Sequence, residues 1–262
     1  DGDTLLHTIA SVGEVEELRF FLDRGLSIDA RNHEGDTPLH YAVQWRAMNS
    51  IRLLLERGAD SSIRDTQGST PLHHAACWGI NEAVRLLIEG GVGLDVQENA
   101  PGARSALMYA CANGHLETAF LLLDAGADVL LRDERGATAL IHAALYGSQK
   151  LVGRLLAAGA DPLAADSDGL TALDHALKYV DIDLEDHLAE KLRESLDEEE
   201  RQQARAKSLH WRNEAREPVI SVELSYGGEC GSEAELCERF DEVVALLGGA
   251  SGKTGTERGS TE

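Results

Sequence analysis

The chain has 262 residues and a formal net charge of −22, with 24 Lys and Arg against 46 Asp and Glu. That balance argues against nucleic acid, whose phosphates need Lys and Arg to displace counterions, and against anionic membrane surfaces. Charged residues at 27% and hydrophobic ones at 43% are ordinary for a folded protein, and no apolar run approaches the ~20 residues of a membrane span.

A motif recurs along the first three quarters of the chain. Thr37-Pro38-Leu39-His40 returns as Thr70-Pro71-Leu72-His73, 33 residues later. Weaker copies start at Thr4, Ser105, Thr138 and Thr171, every step being 33 except the 35 between Thr70 and Ser105. Gly25, Gly58, Gly91, Gly126 and Gly159 repeat the same spacing, so the two extra residues lie between Gly91 and Ser105. Self-similarity at this period predicts a stack of identical supersecondary units.

Each unit reads as two helices and a loop. Thr suits an N-cap and Pro the first helical position, so a helix starts at each motif. Leu39/Ala42, Leu72/Ala75 and Leu140/Ala143 share one apolar face, and the small Ala lets a neighbouring helix approach closely. A second helix runs through segments such as 81–88 and 116–123 and stops at Gly, which tolerates the left-handed conformation. Polar stretches such as 62–68 suit a tight hairpin before the next Thr.

With its two Thr-Pro-Leu-His copies, the Gly-Ala-Asp endings at 58–60, 126–128 and 159–161, and Gly114-His115-Leu116-Glu117, the segment 1–192 resembles the ankyrin repeat family. The resemblance implies an all-α solenoid of helix-turn-helix pairs with projecting β-hairpin loops, followed here by a C-terminal helical extension. It also implies protein–protein binding on the hairpins and on the concave face of the first helices. The register gives units at 1–34 (a truncated start), 35–67, 68–102 with an extended hairpin, 103–135 and 136–168, and a degenerate sixth at 169–192, where Asp174 replaces His.

Asp1-Gly2-Asp3 aligns with Glu34-Gly35-Asp36, so the chain opens inside a hairpin and is expected to be a fragment of a longer protein. Leu18, Phe20, Phe21 and Leu22 make the first unit apolar where terminal units normally carry a polar face, and further units upstream are expected. Beyond the repeats, 193–247 is expected to hold a charged helix ending before Pro218, a short strand-like segment at 219–224 and an amphipathic helix. That helix opens at the Ser232/Glu235 capping box and carries Leu236, Phe240, Val243, Val244 and Leu247 on one face, which covers the end of the stack or meets a partner. Residues 248–262 read as a disordered tail.

Little in the chain suggests chemistry. Residues 248–254 imitate a phosphate loop, but Leu247 stands where its first Gly is required and no apolar helix follows. His7, His40 and His73 belong to the repeat motif, where each can hydrogen-bond the turn. Cys77, Cys111, Cys230 and Cys237 form no CxxC pair, so neither a metal nor any other cofactor is expected, and free thiols point to a reducing, intracellular setting in cytoplasm or nucleus. No nucleophile–base set is suggested by spacing, so the chain is read as non-catalytic.

The candidate binding residues form two columns on the first helices. Val12, Trp45, Trp78, Asn113, Tyr146 and Tyr179 hold equivalent positions; four residues earlier stand Thr8, Tyr41, His74, Tyr109, His142 and His175. Residues i and i+4 share a helix face, so the columns pair as rungs beside the Leu and Ala core positions. Aromatic residues are only 5% of the chain, yet they and His fill nine of the ten positions in the five rungs from Tyr41 to Tyr179. Such residues dominate binding hot spots, so a protein or peptide is the expected partner of a monomer. Residues 181–262 carry 10 basic and 21 acidic side chains, against 14 and 25 over residues 1–180. That acidity fits either a basic partner or simply a solvated surface, the commoner case. The other reading consistent with these residues is a regulatory or substrate-recruiting arm of a larger enzyme, a ligase or transferase, whose catalytic part lies elsewhere.

Overall fold

The computed structural model describes residues 2–99, 102–177 and Leu247. Eleven helices form among them, in five consecutive pairs and one single helix: α1 (Leu5–Val12) with α2 (Val15–Asp23), α3 (Pro38–Gln44) with α4 (Met48–Glu56), α5 (Pro71–Cys77) with α6 (Asn81–Glu89), α7 (Ala106–Ala112) with α8 (Leu116–Asp124), α9 (Ala139–Tyr146) with α10 (Gln149–Ala157), and then α11 (Ala172–Leu177). The odd-numbered helices stack on one another in chain order and the even-numbered ones do the same, which gives the solenoid.

The motif residues start these helices by a mechanism shared between cap and third turn position. The Thr37 N–H donates to Nδ1 of His40 at 3.1 Å, and the Thr4/His7 and Thr70/His73 pairs repeat the bond at the same length. Where Met108 and Ile141 replace His, the hydroxyls of Ser105 and Thr138 accept the N–H of that residue instead. In the sixth unit Asp174 takes over, accepting the N–H and the hydroxyl of Thr171 at 2.8 and 2.7 Å. The helix start therefore survives the loss of the motif His, because an acceptor on either the cap residue or the third position satisfies one of the orphan N–H groups.

The core follows the repeat register. Leu6, Leu39, Leu72, Leu107 and Leu140 are each 1% exposed. Ala42, Ala75, Ala110, Ala143 and Ala176 are fully buried, as are Leu18, Ile51, Val84, Ala119 and Val152 from the second helices. Burying each Leu side chain stabilises by roughly 1.5–3 kcal/mol. One core thus runs the length of the stack, every layer closed by its neighbours.

Single antiparallel bridges close the hairpins, Gln97 with Ser105, Arg132 with Thr138 and Ala165 with Thr171, and no strand forms among the described residues. Each hairpin is tied instead to the next by a side chain at one repeat position. Arg31 donates to the Arg64 carbonyl at 2.6 Å, Arg64 to that of Gln97, Gln97 to that of Arg132 at 2.7 Å, and Arg132 to that of Ala165 at 2.6 Å.

Cys111 is buried and its thiol is pushed up to about 12 by desolvation, while Cys77 is half-buried and also raised by burial, with Asn113 opposing. Neither thiol is activated. Tyr179, Cys230, Cys237, the charged helix to Glu217, the strand-like segment, the Ser232/Glu235 box and residues 248–262 lie outside the described residues. Of the amphipathic segment only Leu247 is described; it is helical, 1% exposed and part of the hydrophobic core.

Candidate functional site

The two aromatic columns have different surroundings. Trp45 and Trp78 are the C-cap residues of α3 and α5, Asn113 caps α7, and Tyr146 ends α9. The Trp45 side chain is 64% exposed and Tyr146 40%, while Trp78 is half-buried with its ring 5.5 Å from that of His74. Val12, at the start of the column, is 66% exposed. Asn113 turns toward the preceding unit, donating to the Cys77 carbonyl at 2.8 Å.

The second column is engaged by the hairpins. His74, His142 and His175 each place Nε2 against a carboxylate nine residues earlier: Asp65 at 3.2 Å, Asp133 at 2.9 Å and Asp166 at 2.6 Å. Tyr109 donates to both oxygens of Glu98 at 2.8 Å, its offset lengthened by the two-residue insertion. Tyr41 donates to Asp3 at 2.7 Å and accepts from Asn32, which holds the same repeat position. These acids also brace the hairpin backbone. Asp133 accepts the N–H groups of Arg135 and Ala137 at 2.9 and 2.8 Å, and Asp65 and Asp166 repeat the arrangement.

For Asp65 and Asp133 burial opposes ionisation, but the bond from the His ring and the backbone N–H groups outweigh it, holding each carboxyl below the usual 3.8. Asp166 behaves alike, its leading favourable bond coming from the Leu170 N–H. Tyr41 and Tyr109 are raised by burial first and by their acid partners second, Tyr41 to about 12. His142 is 6% exposed and so offers a partner almost no ring, whereas Tyr41, His74, Tyr109 and His175 are half-buried. The columns therefore do not form one continuous aromatic wall. The sequence reading missed the bracing residues, although Asn32, Asp65, Glu98, Asp133 and Asp166 repeat at steps of 33, 33, 35 and 33 and were visible in the same register.

Three potential metal ligands, Asp36, His40 and His74, come within 4.8 Å of one another. The tautomer of His40 argues against a shared ion. Its Nδ1 accepts the Thr37 N–H, so Nε2 carries the proton and donates to the Ser69 carbonyl at 3.3 Å. No lone pair is left for a cation. Burial first, and the nearby His74 second, hold the His40 pKa down to about 4, consistent with a neutral ring in the core. Edge-on contacts of His7 with Tyr41, His40 with His74 and His73 with Tyr109 make these motif histidines spacers between units.

The family model for ankyrin repeats matches in three copies, at residues 1–65, 58–133 and 108–194. The chain belongs to the ankyrin repeat family. An ankyrin repeat domain from Acinetobacter baumannii is 32% identical and superposes with a TM-score of 0.62, covering 66% of this chain and 89% of that one. The ankyrin repeat protein EF0377 is 28% identical, with a TM-score of 0.61 over 66% of this chain and 90% of its own. A chain from the complex of the predatory endopeptidase Bd0816 of Bdellovibrio bacteriovorus with immunity protein Bd3460 gives 0.61 at 23% identity, over 68% and 93%, a likeness of fold. No curated protein matches the sequence. Ankyrin repeats are generally protein–protein interaction modules, and the ankyrin fold is typically non-catalytic.

Proposed function

We propose that this ankyrin stack is a non-catalytic, intracellular adaptor that binds a protein or peptide along the column of Trp45, Trp78 and Tyr146, with the hairpin tips as its rim. The observation that carries the reading is the exposure of Trp45, 64%, at the end of a helix whose Leu39, Ala42 and Val43 are buried in the core. An exposed Trp on a rigid helix end supplies large contact area at little entropic cost, and such residues dominate binding energy. Asp65, Glu98, Asp133 and Asp166 support the surface indirectly, since they fix the second column and with it the angle between hairpin and helix.

Pull-down with Trp45→Ala/Trp78→Ala tests this. Each substitution is expected to weaken a partner by about 2 kcal/mol or more while folding stays cooperative. Unchanged recovery of every partner by the double variant would exclude this surface and turn attention to the hairpin tips.

A further inference from the structure

The residue after each first-helix ladder position is a glycine in four of the five helix pairs. Gly13, Gly79, Gly114 and Gly147 all take left-handed backbone, at φ 87, 63, 68 and 73°. In the second unit the same position is Arg46, at φ 56°. Only one other non-glycine among the described residues, Ala103 in the enlarged hairpin, has positive φ. A side chain here is a standing strain, because Cβ crowds the following carbonyl, and strain of this kind persists where it serves a site.

The charge of Arg46 is not spent within the stack. Among the described residues its hydrogen bond is a long one, Nη2 to the Trp78 carbonyl at 3.4 Å. Four exposed arginines of the second helices are instead paired, Arg57 with Asp23, Arg52 with Glu82, Arg85 with Glu117 and Arg154 with Asp124, while Arg19 of α2 lies on the outer row of helices, away from the Trp45 column. Arg46 thus sets an exposed guanidinium directly after the exposed Trp45 ring, at the end of α3. Arg presents a planar fork suited to a carboxylate, and Trp an apolar face for the residue beside it.

Resting on the proposed role of the Trp45 column, we infer that Arg46 is a specificity residue of that surface, taking the carboxylate of an Asp or Glu that neighbours an apolar or aromatic side chain in a partner peptide. A carboxylate is favoured over a phosphate by charge. With the chain at −22, a near-dianion meets more repulsion than a monoanion, and a single Arg offsets only one charge. The pairing is local and runs against the simple expectation that an acidic protein selects basic partners.

A random peptide library displayed on phage, selected on the full chain and in parallel on Arg46→Gly and on Trp45→Ala/Trp78→Ala, tests the inference. Selected peptides should join Asp or Glu to Trp, Phe or Leu. The best of them should bind Arg46→Gly at least tenfold more weakly, and its Gln-for-Glu or Asn-for-Asp analogue should lose as much on the native chain but nothing further on the variant. Arg46→Gly should also raise the thermal midpoint by about 2–4 °C, as relief of left-handed strain in a protein of this size implies. A lowered midpoint would make Arg46 structural and overturn the inference. Peptides lost on the Trp variant but held equally by Arg46→Gly would remove Arg46 and leave the aromatic surface standing. Peptides indifferent to both variants, or no selection above the bare support, would remove both.

Discussion

The ring of Tyr146 lies against the backbone of Gly114, one unit earlier, so closely that a Cβ on Gly114 would fall within the ring. The glycine therefore has two reasons to be there. Its φ of 68° is left-handed, and its missing side chain makes the bed for an aromatic that is still 40% exposed. One edge of the ring thus rests on the stack while the residue stays partly exposed, which makes it a pre-ordered contact element rather than a loose one.

Gly114→Ala is accordingly expected to destabilise by about 1–3 kcal/mol, combining backbone strain with displacement of the ring. Adding Tyr146→Ala should relieve the steric part, making the pair strongly non-additive. Urea melts of the four proteins of the cycle measure this. Additive losses would mean that the two residues do not share a contact.

Truncation of the repeat leucines tests the shared core. Leu107 and Leu140 are each 1% exposed in units with neighbours on both sides. Leu107→Ala and Leu140→Ala should each cost about 2–5 kcal/mol, transfer energy plus residual cavity. Losses below about 0.5 kcal/mol in chemical denaturation, the range of ordinary surface changes, would place these side chains outside the core.

Most of this architecture was legible in the sequence because a repeat exposes its own rules. A residue that caps a helix or fills a layer in one unit must do so in the next, so Thr37, Leu39 and Ala42 announce their equivalents. The columns of Trp45 and of Tyr41 were likewise located by register. Their separate surroundings were not, because i,i+4 spacing tells which residues share a face but not where each side chain turns. His142 turns toward Asp133, and that direction is set by hairpin backbone whose N–H groups already hold the carboxylate. Arg46 was hidden for the opposite reason: it is a departure from the pattern, significant only once its left-handed φ is seen. The polar stretches read as hairpins close through single bridges, and the clasps of Arg31, Arg64, Gln97 and Arg132 that tie them together are visible only in the structure.

Acid should weaken the fold before the lowered carboxyls of Asp65, Asp133 and Asp166 titrate. His40 has a folded pKa of about 4 against an ordinary 6.5, and His73 is lowered as well, in both cases chiefly by burial. The unfolded chain takes up these protons first, so stability falls as pH drops from about 6.5 to about 4. His40 alone contributes up to ~3 kcal/mol to that loss. Asp36, raised by burial, acts in the opposite direction and offsets part of it. The lowered carboxyls of Asp65, Asp133 and Asp166 keep their contribution above 3.8 and lose it only below that pH. Urea midpoints at pH 7, 5.5 and 4.5 should decline steadily; a flat profile over that range would mean that the motif histidines are solvated.

The second column should prove to be a hairpin brace whose loss costs stability rather than affinity. Asp133 is the centre of one such brace, accepting His142 and the N–H groups of Arg135 and Ala137 at 2.9, 2.9 and 2.8 Å. Removing it leaves the buried donors of His142 and Ala137, and the part-buried N–H of Arg135, without an acceptor, so Asp133→Ala should destabilise by about 2–4 kcal/mol. His142→Ala leaves Asp133 its two backbone bonds and should cost less, about 1–2 kcal/mol. Hydrogen exchange at the amides of Arg135 and Ala137 separates the two, being accelerated strongly by Asp133→Ala and weakly by His142→Ala. Under conditions where both variants stay folded, binding through Trp45 and Trp78 should remain within about threefold of the native chain. Loss of binding by His142→Ala with amide protection intact would instead place that ring in the contact surface.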